Sequence, residues 1–241
     1  MDCSKTIDKI KNSIALIITF NAENKISGGG SGFIFLKKGI LVTCDHVVKD
    51  ANNIFIKFAN SEFIATKIAI RDEEHDLALL KFGDESREPL LLSELKDIKE
   101  GVPVLFSGYP LNLQDLTTHQ GIISAITKDI TGLTTYLIDG TVNAGNSGCP
   151  LMDYDGRVIG VINAKRRERS ELLEKVEKMK LGALSLHSVD LVEIFQAIIN
   201  NVQLGIGYAV PASYIPEYKE IQSIGPKTEP KKEEIIKTEN H

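Results

Sequence analysis

The sequence predicts an all-β fold, a barrel or a sandwich, with one helical interruption and a polar C-terminal tail. Three observations carry that reading. Short apolar, β-branched segments recur at short spacing with Gly, Asn and Lys turns between them. Only one region, 166–199, repeats its apolar residues at helical spacing. A polar stretch at 83–88 and a charged one at 94–100 divide the strand-like segments into two halves.

In the first half, residues 13–20 are apolar and β-branched, and 21–27 are turn-like. The run Gly28, Gly29, Gly30, Ser31, Gly32 reads as a flexible approach to a strand at 33–36. A Lys37-Lys38-Gly39 turn leads to a strand at 40–43. Residues 53–58 and 63–70 alternate as half-buried strands do, and 77–82 is a further strand. No Gly-Lys-Ser/Thr follows the glycine run, and the next segment is strand-like, so a phosphate loop is excluded.

In the second half, strands are expected at 103–110, 120–125, 134–138, 158–163 and 207–210. Leu172, Leu173, Val176 and Met179 form an apolar stripe in 166–180, read as packing against the strands. Ser188 reads as the N-cap of a helix over 189–199, with Asp190 in its first turn. From residue 217 the chain is rich in Lys, Glu and Pro, and disorder is expected. The resulting division is 1–96, 97–216 with a helical insertion at about 165–204, and a tail at 217–241.

The chain has 241 residues, 42% of them hydrophobic and 25% charged, with a net charge of −5. That balance argues against nucleic-acid binding, and Lys165-Arg166-Arg167 is too short a basic patch to reverse it. The apolar stretch 14–20 is far shorter than the ~20 residues a membrane helix needs. The N-terminus lacks the basic start and continuous apolar run of a secretion signal. Three cysteines, Cys3, Cys44 and Cys149, are an odd count without zinc-ligand spacing, and read as free thiols in a reducing compartment. A soluble, cytoplasmic protein without metal or organic cofactor is therefore expected.

Three segments carry chemistry: Thr43-Cys44-Asp45-His46, Asp76-Leu77-Ala78, and Gly145-Asn146-Ser147-Gly148-Cys149-Pro150. A serine hydroxyl is nearly inert at neutral pH until an imidazole accepts its proton. A carboxylate on the other ring nitrogen fixes the tautomer and stabilises the imidazolium. Those roles fall on Ser147, His46 and Asp76. Asp45 and Asp72 are rival carboxylates. Asp45 adjoins His46, so on a strand its side chain points the other way. Asp72 lies in the charged loop 71–75, and both are read as solvated. A tight turn at Gly145-Asn146-Ser147 aims the N–H groups of Gly145 and Ser147 at one point, an oxyanion hole. His75 and His119 are placed on surface loops, and His187 in the helical insertion.

These segments resemble the trypsin-like serine proteases, and most of all their HtrA/Deg branch. Gly145 to Pro150 is similar to the family's Gly-Asn-Ser-Gly-Gly-Pro nucleophile motif. Ser31-Gly32-Phe33-Ile34, Gly108-Tyr109-Pro110, Gly121-Ile122-Ile123-Ser124 and Gly205-Ile206-Gly207-Tyr208-Ala209-Val210-Pro211 follow as further landmarks, in order. The resemblance implies two six-stranded antiparallel β-barrels with a cleft between them. His46 and Asp76 would come from the first barrel and Ser147 from the second. It implies a serine endopeptidase acting on a protein or peptide substrate through an acyl-enzyme. Thr141, six residues before Ser147, would floor the pocket for the residue preceding the scissile bond, with Ile162, Asn163, Ala164 and Tyr208 as its wall. With no acid at that floor, a small or medium aliphatic residue is the expected preference.

The sequence departs from the pattern at Cys149, which stands where the family has glycine, and in the long 165–204 segment. It also ends soon after Pro211, so the PDZ domain common in HtrA proteins is not expected. Two other readings stay open: a binding or sensing module whose oxyanion turn awaits a partner, and an esterase. A homo-oligomer or an activating partner protein is a further expectation.

Overall fold

β1 (Ile14–Phe20) and β2 (Ile26–Ile34) pair antiparallel, with Ile17 opposite Gly30 and Ile14 opposite Phe33. β-Branched residues crowd β1, which suits a pleated, half-buried surface. β3 (Ile40–Cys44), β4 (Asn53–Phe58), β5 (Ile64–Asp72) and β6 (Leu77–Lys81) complete a closed barrel in the order β1-β2-β3-β6-β5-β4. Its interior is filled by Ile17, Phe33, Ile56, Phe58 and Leu79, all fully buried. Each such side chain contributes roughly 1.5–3 kcal/mol by leaving water.

The second half repeats the plan. β7 (Pro103–Gly108), β8 (Thr117–Lys128), β9 (Thr134–Asp139), β10 (Pro150–Met152), β11 (Val158–Ile162) and, after a hairpin of β12 (Ser185–Leu186) and β13 (Val189–Asp190), β14 (Ile206–Pro211) are its strands. Six of them close in the order β10-β11-β14-β9-β8-β7. Val104, Phe106, Ile123, Ile138, Leu151 and Ile159 build its core. This computed structural model describes residues 2–94, 98–128, 131–164, 179–180, 182, 185–187, 189–195 and 206–215. The expected all-β, two-barrel architecture is the one found, and every pairing within the barrels is antiparallel.

Several local readings change. The glycine run is no flexible approach: Gly28, Gly29 and Gly30 are paired residues of β2. A Cβ on Gly30 would come within 3.0 Å of the Ser147 carbonyl oxygen and 2.9 Å of Val47, so glycine there lets the two barrels close on each other. His46 does not sit on a strand but in a single helical turn, α2 (Asp45–Val48). A helix not anticipated from sequence, α1 (Ser4–Ile10), packs its buried Ile10 into the core, and Thr6 Oγ1 donates to the Tyr154 carbonyl of the second barrel at 2.8 Å. β10 is three residues long, too short for any periodicity to reveal.

In the expected insertion, Asp190 caps the helical residues 191–195. Its Oδ1 accepts the N–H groups of Val192 at 2.9 Å and Glu193 at 3.4 Å. Met179 is exposed and His187 lies in the β12–β13 turn. The rest of the stripe, the basic patch 165–167, Ser188 and the tail from 217 lie outside the described residues. Among the described residues no helix is long and apolar enough to cross a membrane.

Candidate active site

α2 follows directly from β3 and turns the His46 ring toward the second barrel. The His46 Nε2 lies 2.9 Å from Ser147 Oγ, and Nδ1 lies 2.6 Å from Asp76 Oδ2. Asp76 precedes β6 with a left-handed backbone, φ +55°. That unusual conformation is held at several points. Asp76 Oδ1 accepts the His46 N–H at 2.8 Å, and the Asp76 carbonyl accepts the Asp45 N–H at 3.1 Å. With Asp76 accepting the Nδ1 proton, Nε2 is the acceptor for the Ser147 hydroxyl.

Asp76 is the electrostatic anchor. Burial pushes its pKa up, but hydrogen bonds and charge from His46, with a bond from Asn163, outweigh burial and hold it below the usual carboxylate value. Asn163 Nδ2 donates to Asp76 Oδ2 at 2.8 Å, and Asn163 is itself buried. The sequence reading put Asn163 on a substrate wall; the structure instead aims its side chain at the carboxylate.

The rival carboxylates are not solvated as expected. Asp45 is buried and receives two bonds from Arg71, Nε to Oδ1 at 2.6 Å and Nη2 to Oδ2 at 3.0 Å. A fixed guanidinium fork neutralises the carboxylate next to His46 and turns it away from the imidazole. Asp72 accepts both the backbone N–H and the ring Nδ1 of His75, at 3.1 and 2.7 Å. His75 is thus a half-buried residue. His119 likewise belongs to β8, stacked on Phe106 with ring centroids 5.1 Å apart, and burial lowers its pKa.

The turn before Ser147 has a defined path. Gly145 has φ +90°, which a side chain would resist. A Cβ there would also come within 2.5 Å of the Tyr109 carbonyl oxygen. The Ala144 carbonyl accepts the Leu111 N–H at 2.7 Å, so the N–H of the same trans peptide, that of Gly145, faces the opposite way. Among the described residues, the N–H groups of Gly145 and Ser147 have no protein acceptor. Asn146 is fully buried: its Oδ1 accepts the Asn143 N–H at 2.9 Å, and its own N–H returns to Asn143 O at 3.0 Å. The Ala164 N–H donates to Ser147 Oγ at 3.2 Å.

Cys149 fits beneath this turn, fully buried, with its sulfur 3.6 Å from Asn146 Nδ2, and burial raises its pKa to about 12. Cys44 Sγ, the His46 ring and Asp76 offer donor atoms within 4.8 Å of one another, close enough for a cation. The chemistry of the set opposes one. Burial first, then the Asp76 charge, push the Cys44 pKa well up, and its thiol donates to Ile162 O at 3.2 Å. A metal takes the thiolate, which this setting disfavours.

The expected substrate wall is only partly assembled. Thr141 is exposed and lines a cavity of about 520 Å³ with His119, Asp139 and Tyr154, and no triad residue lines that cavity. Counting back from a nucleophile fixes an offset in sequence, not the course of the loop. Its neighbour Val142 lies over Gly207 and packs on the second-barrel core. The Ile162 side chain is fully buried in that core, so its contribution is its carbonyl, which accepts the Gly148 N–H at 2.8 Å. Tyr208, half-buried, accepts the Asn163 N–H with its carbonyl at 2.8 Å.

A family model described as a trypsin-like peptidase domain matches residues 30–161. The chain belongs to the trypsin-like peptidase family. Within that family it is similar to HtrA and DegP proteins. A probable periplasmic DegP-like serine endoprotease of Pseudomonas fluorescens is 35% identical over 135 residues, 55% of this chain and 28% of that protein. A second of the same description, from Rickettsia prowazekii, is 39% identical over 143 residues, 56% and 28%. The Do-like serine protease HtrA of Bacillus subtilis is 30% identical over 162 residues, 61% and 36%. The chain thus spans only about a third of the length of these relatives. Among solved structures, a serine endoprotease from Yersinia pestis superposes with a TM-score of 0.63 at 25% identity, covering 88% of this chain and 63% of the other. The HtrA-type protease AlgW with a tripeptide gives 0.66 at 24%, covering 88% and 60%, a likeness of fold.

These relatives correct one expectation. Several are named periplasmic endoproteases, which points away from a cytoplasmic location. The cysteine argument behind that expectation fails on physical grounds. Cys44 and Cys149 are fully buried protonated thiols inside large cores, and such thiols need no reducing compartment.

Proposed function

We propose that this chain is a serine endopeptidase with Ser147 as nucleophile, His46 as base and Asp76 as the group that orients it. The observation that carries this reading is the unbroken chain Ser147 Oγ–His46 Nε2–His46 Nδ1–Asp76 Oδ2, at 2.9 and 2.6 Å. As Ser147 Oγ attacks a peptide carbonyl, His46 takes its proton and the imidazolium is stabilised by Asp76. The carbonyl oxygen becomes an anion facing the N–H groups of Gly145 and Ser147, each of which contributes about 3–4 kcal/mol to the transition state. Collapse expels the amine with the proton from His46 and leaves an acyl-Ser147 ester. A water deprotonated by His46 then hydrolyses the ester.

The substrate is a protein or peptide segment. A small or medium aliphatic residue before the scissile bond fits Val142, which takes the role first given to Thr141, with Ala164 and Tyr208 beside it. Degradation of β-casein tests the reading. The wild-type chain cleaves it after Val or Ala in preference to Arg, and Ser147→Ala does not. Turnover of a small activated ester with intact casein would instead make the protein an esterase.

A further inference from the structure

Ser31 is a first-barrel residue with no exposed surface, yet most of its hydrogen bonds reach the second barrel. Its N–H donates to the Ser147 carbonyl at 2.8 Å. Its hydroxyl donates to the Gly145 carbonyl at 2.8 Å and accepts the Tyr109 N–H at 2.9 Å. Its own carbonyl accepts Thr43 Oγ1 at 2.7 Å, one residue from the end of β3, which leads into α2 and His46. The one hydroxyl proton and one lone pair of Ser31 are thus both committed, and each to a different segment of the second barrel.

Gly145 is the natural pivot of the oxyanion turn, because glycine crosses between backbone regions at little steric cost. Both peptides flanking that pivot are pinned. The Ala144 carbonyl is held by the Leu111 N–H at 2.7 Å, and the Gly145 carbonyl by Ser31 Oγ. The two pins are themselves joined, since Ser31 also fixes Tyr109, two residues before Leu111. Rotation of the Ala144–Gly145 peptide would carry the Ala144 carbonyl off Leu111 and turn the Gly145 N–H away from the anion.

We propose that Ser31 is a positioning residue: its hydroxyl is a latch from the first barrel that holds the Gly145 turn and the Tyr109–Leu111 loop in the conformation that presents the oxyanion N–H groups. This rests on the reading of Ser147 as nucleophile. Ser31 touches no reacting atom and acts through Gly145 and Tyr109. One side chain therefore couples barrel docking to the oxyanion geometry.

The test compares the wild type, Ser31→Ala, and Thr66→Val, which removes a buried hydroxyl bonded to the Lys81 carbonyl at 2.7 Å, away from the site. For Ser31→Ala, kcat on a peptide substrate falls about 10- to 100-fold while KM changes little, in the range of losing one oxyanion donor. Affinity for a peptide aldehyde, which forms the oxyanion, falls in parallel, and affinity for the matching product peptide does not. Amide hydrogen exchange rises in 109–113 and 142–149 and nowhere else. Thr66→Val leaves kcat, aldehyde affinity and those amides unchanged. Ser31→Cys, with a weaker donor of similar size, falls between wild type and alanine, and replaces the alanine variant in every comparison should that one not fold. Wild-type kcat with unchanged exchange in Ser31→Ala would overturn the latch. A wild-type chain without turnover, whose exchange still rises on Ser31→Ala, would overturn the nucleophile reading and leave the latch standing.

Discussion

The ring of Tyr214 stacks on the ring of His75, with centroids 4.3 Å apart and planes tilted by 26°. Tyr214 follows β14 at the end of the second barrel, and His75 immediately precedes Asp76 in the first. The stack is braced on both sides: Asp72 holds the His75 ring, and the Tyr214 hydroxyl accepts the Thr134 N–H at 3.0 Å. Replacing Tyr214 by Ala should lower stability by about 1 kcal/mol beyond the area lost and loosen the loop that carries Asp76. Tyr214→Phe keeps the stack and should retain most of that stability. Urea unfolding of both variants measures the difference.

Asn163 and His46 converge on the same oxygen of Asp76. Asn163→Ala removes one donor to a charged acceptor, a loss of about 1.5–3 kcal/mol for such bonds. The Asp76 pKa then rises toward its ordinary value and the imidazole is held less firmly. The expected result is a kcat reduced about tenfold or more with KM little changed, and a larger share of activity lost on the acid side. A pH–rate profile of the variant against wild type checks this.

Arg71 holds the Asp45 carboxylate with two hydrogen bonds. Arg71→Met leaves the Asp45 carboxylate buried and unpaired beside His46. Removing one partner of such a pair is destabilising, and replacing both is far less so. The urea midpoint should drop in Arg71→Met and recover in the Arg71→Met/Asp45→Asn double variant, as a double-mutant cycle reports.

Stability should also depend on pH through Asp76. Its folded-state pKa lies below the usual value of ~3.9, so the folded state favours the ionised form more than the unfolded chain does. That contribution is present above about pH 4 and is lost as pH falls through the lower, folded pKa. Unfolding free energies measured from pH 6 downward should fall in this window for wild type, and Asp76→Asn should lack that component.

The segments that meet at the site were legible because each is local. Thr43-Cys44-Asp45-His46, Asp76-Leu77-Ala78 and the glycine-flanked Ser147 are each short runs of consecutive residues, whereas the helical turn at His46 and the left-handed backbone of Asp76 left no mark in them. Most strands of both barrels were legible for the same reason, through β-branched and alternating runs such as 53–58 and 77–82; the three-residue β10 was not. What sequence did not reveal depends on approach across the cleft. Asn163 reaches Asp76 over a separation of 87 residues, and Ser31 reaches Gly145 over 114. Nothing in the runs around Asn163 or Ser31 states which face they present to the other barrel. Asp45 is harder to place from sequence, because on a strand alternation alone would turn it to solvent. In α2 it is buried instead, and only the position of Arg71 on β5 explains how. Thr141, expected at the pocket floor, is exposed for a related reason. The loop 140–146 bends so that Val142, not Thr141, lies over Gly207.

In the proposed mechanism Ser147 is activated by His46 and Asp76 in a cleft already arranged for attack. A serine-directed fluorophosphonate followed by peptide mapping tests it most directly. One adduct per chain, located on Ser147 and reduced by orders of magnitude in His46→Ala, is the result expected here. Labelling spread over other serines, or undiminished on Ser147 in His46→Ala, would contradict it.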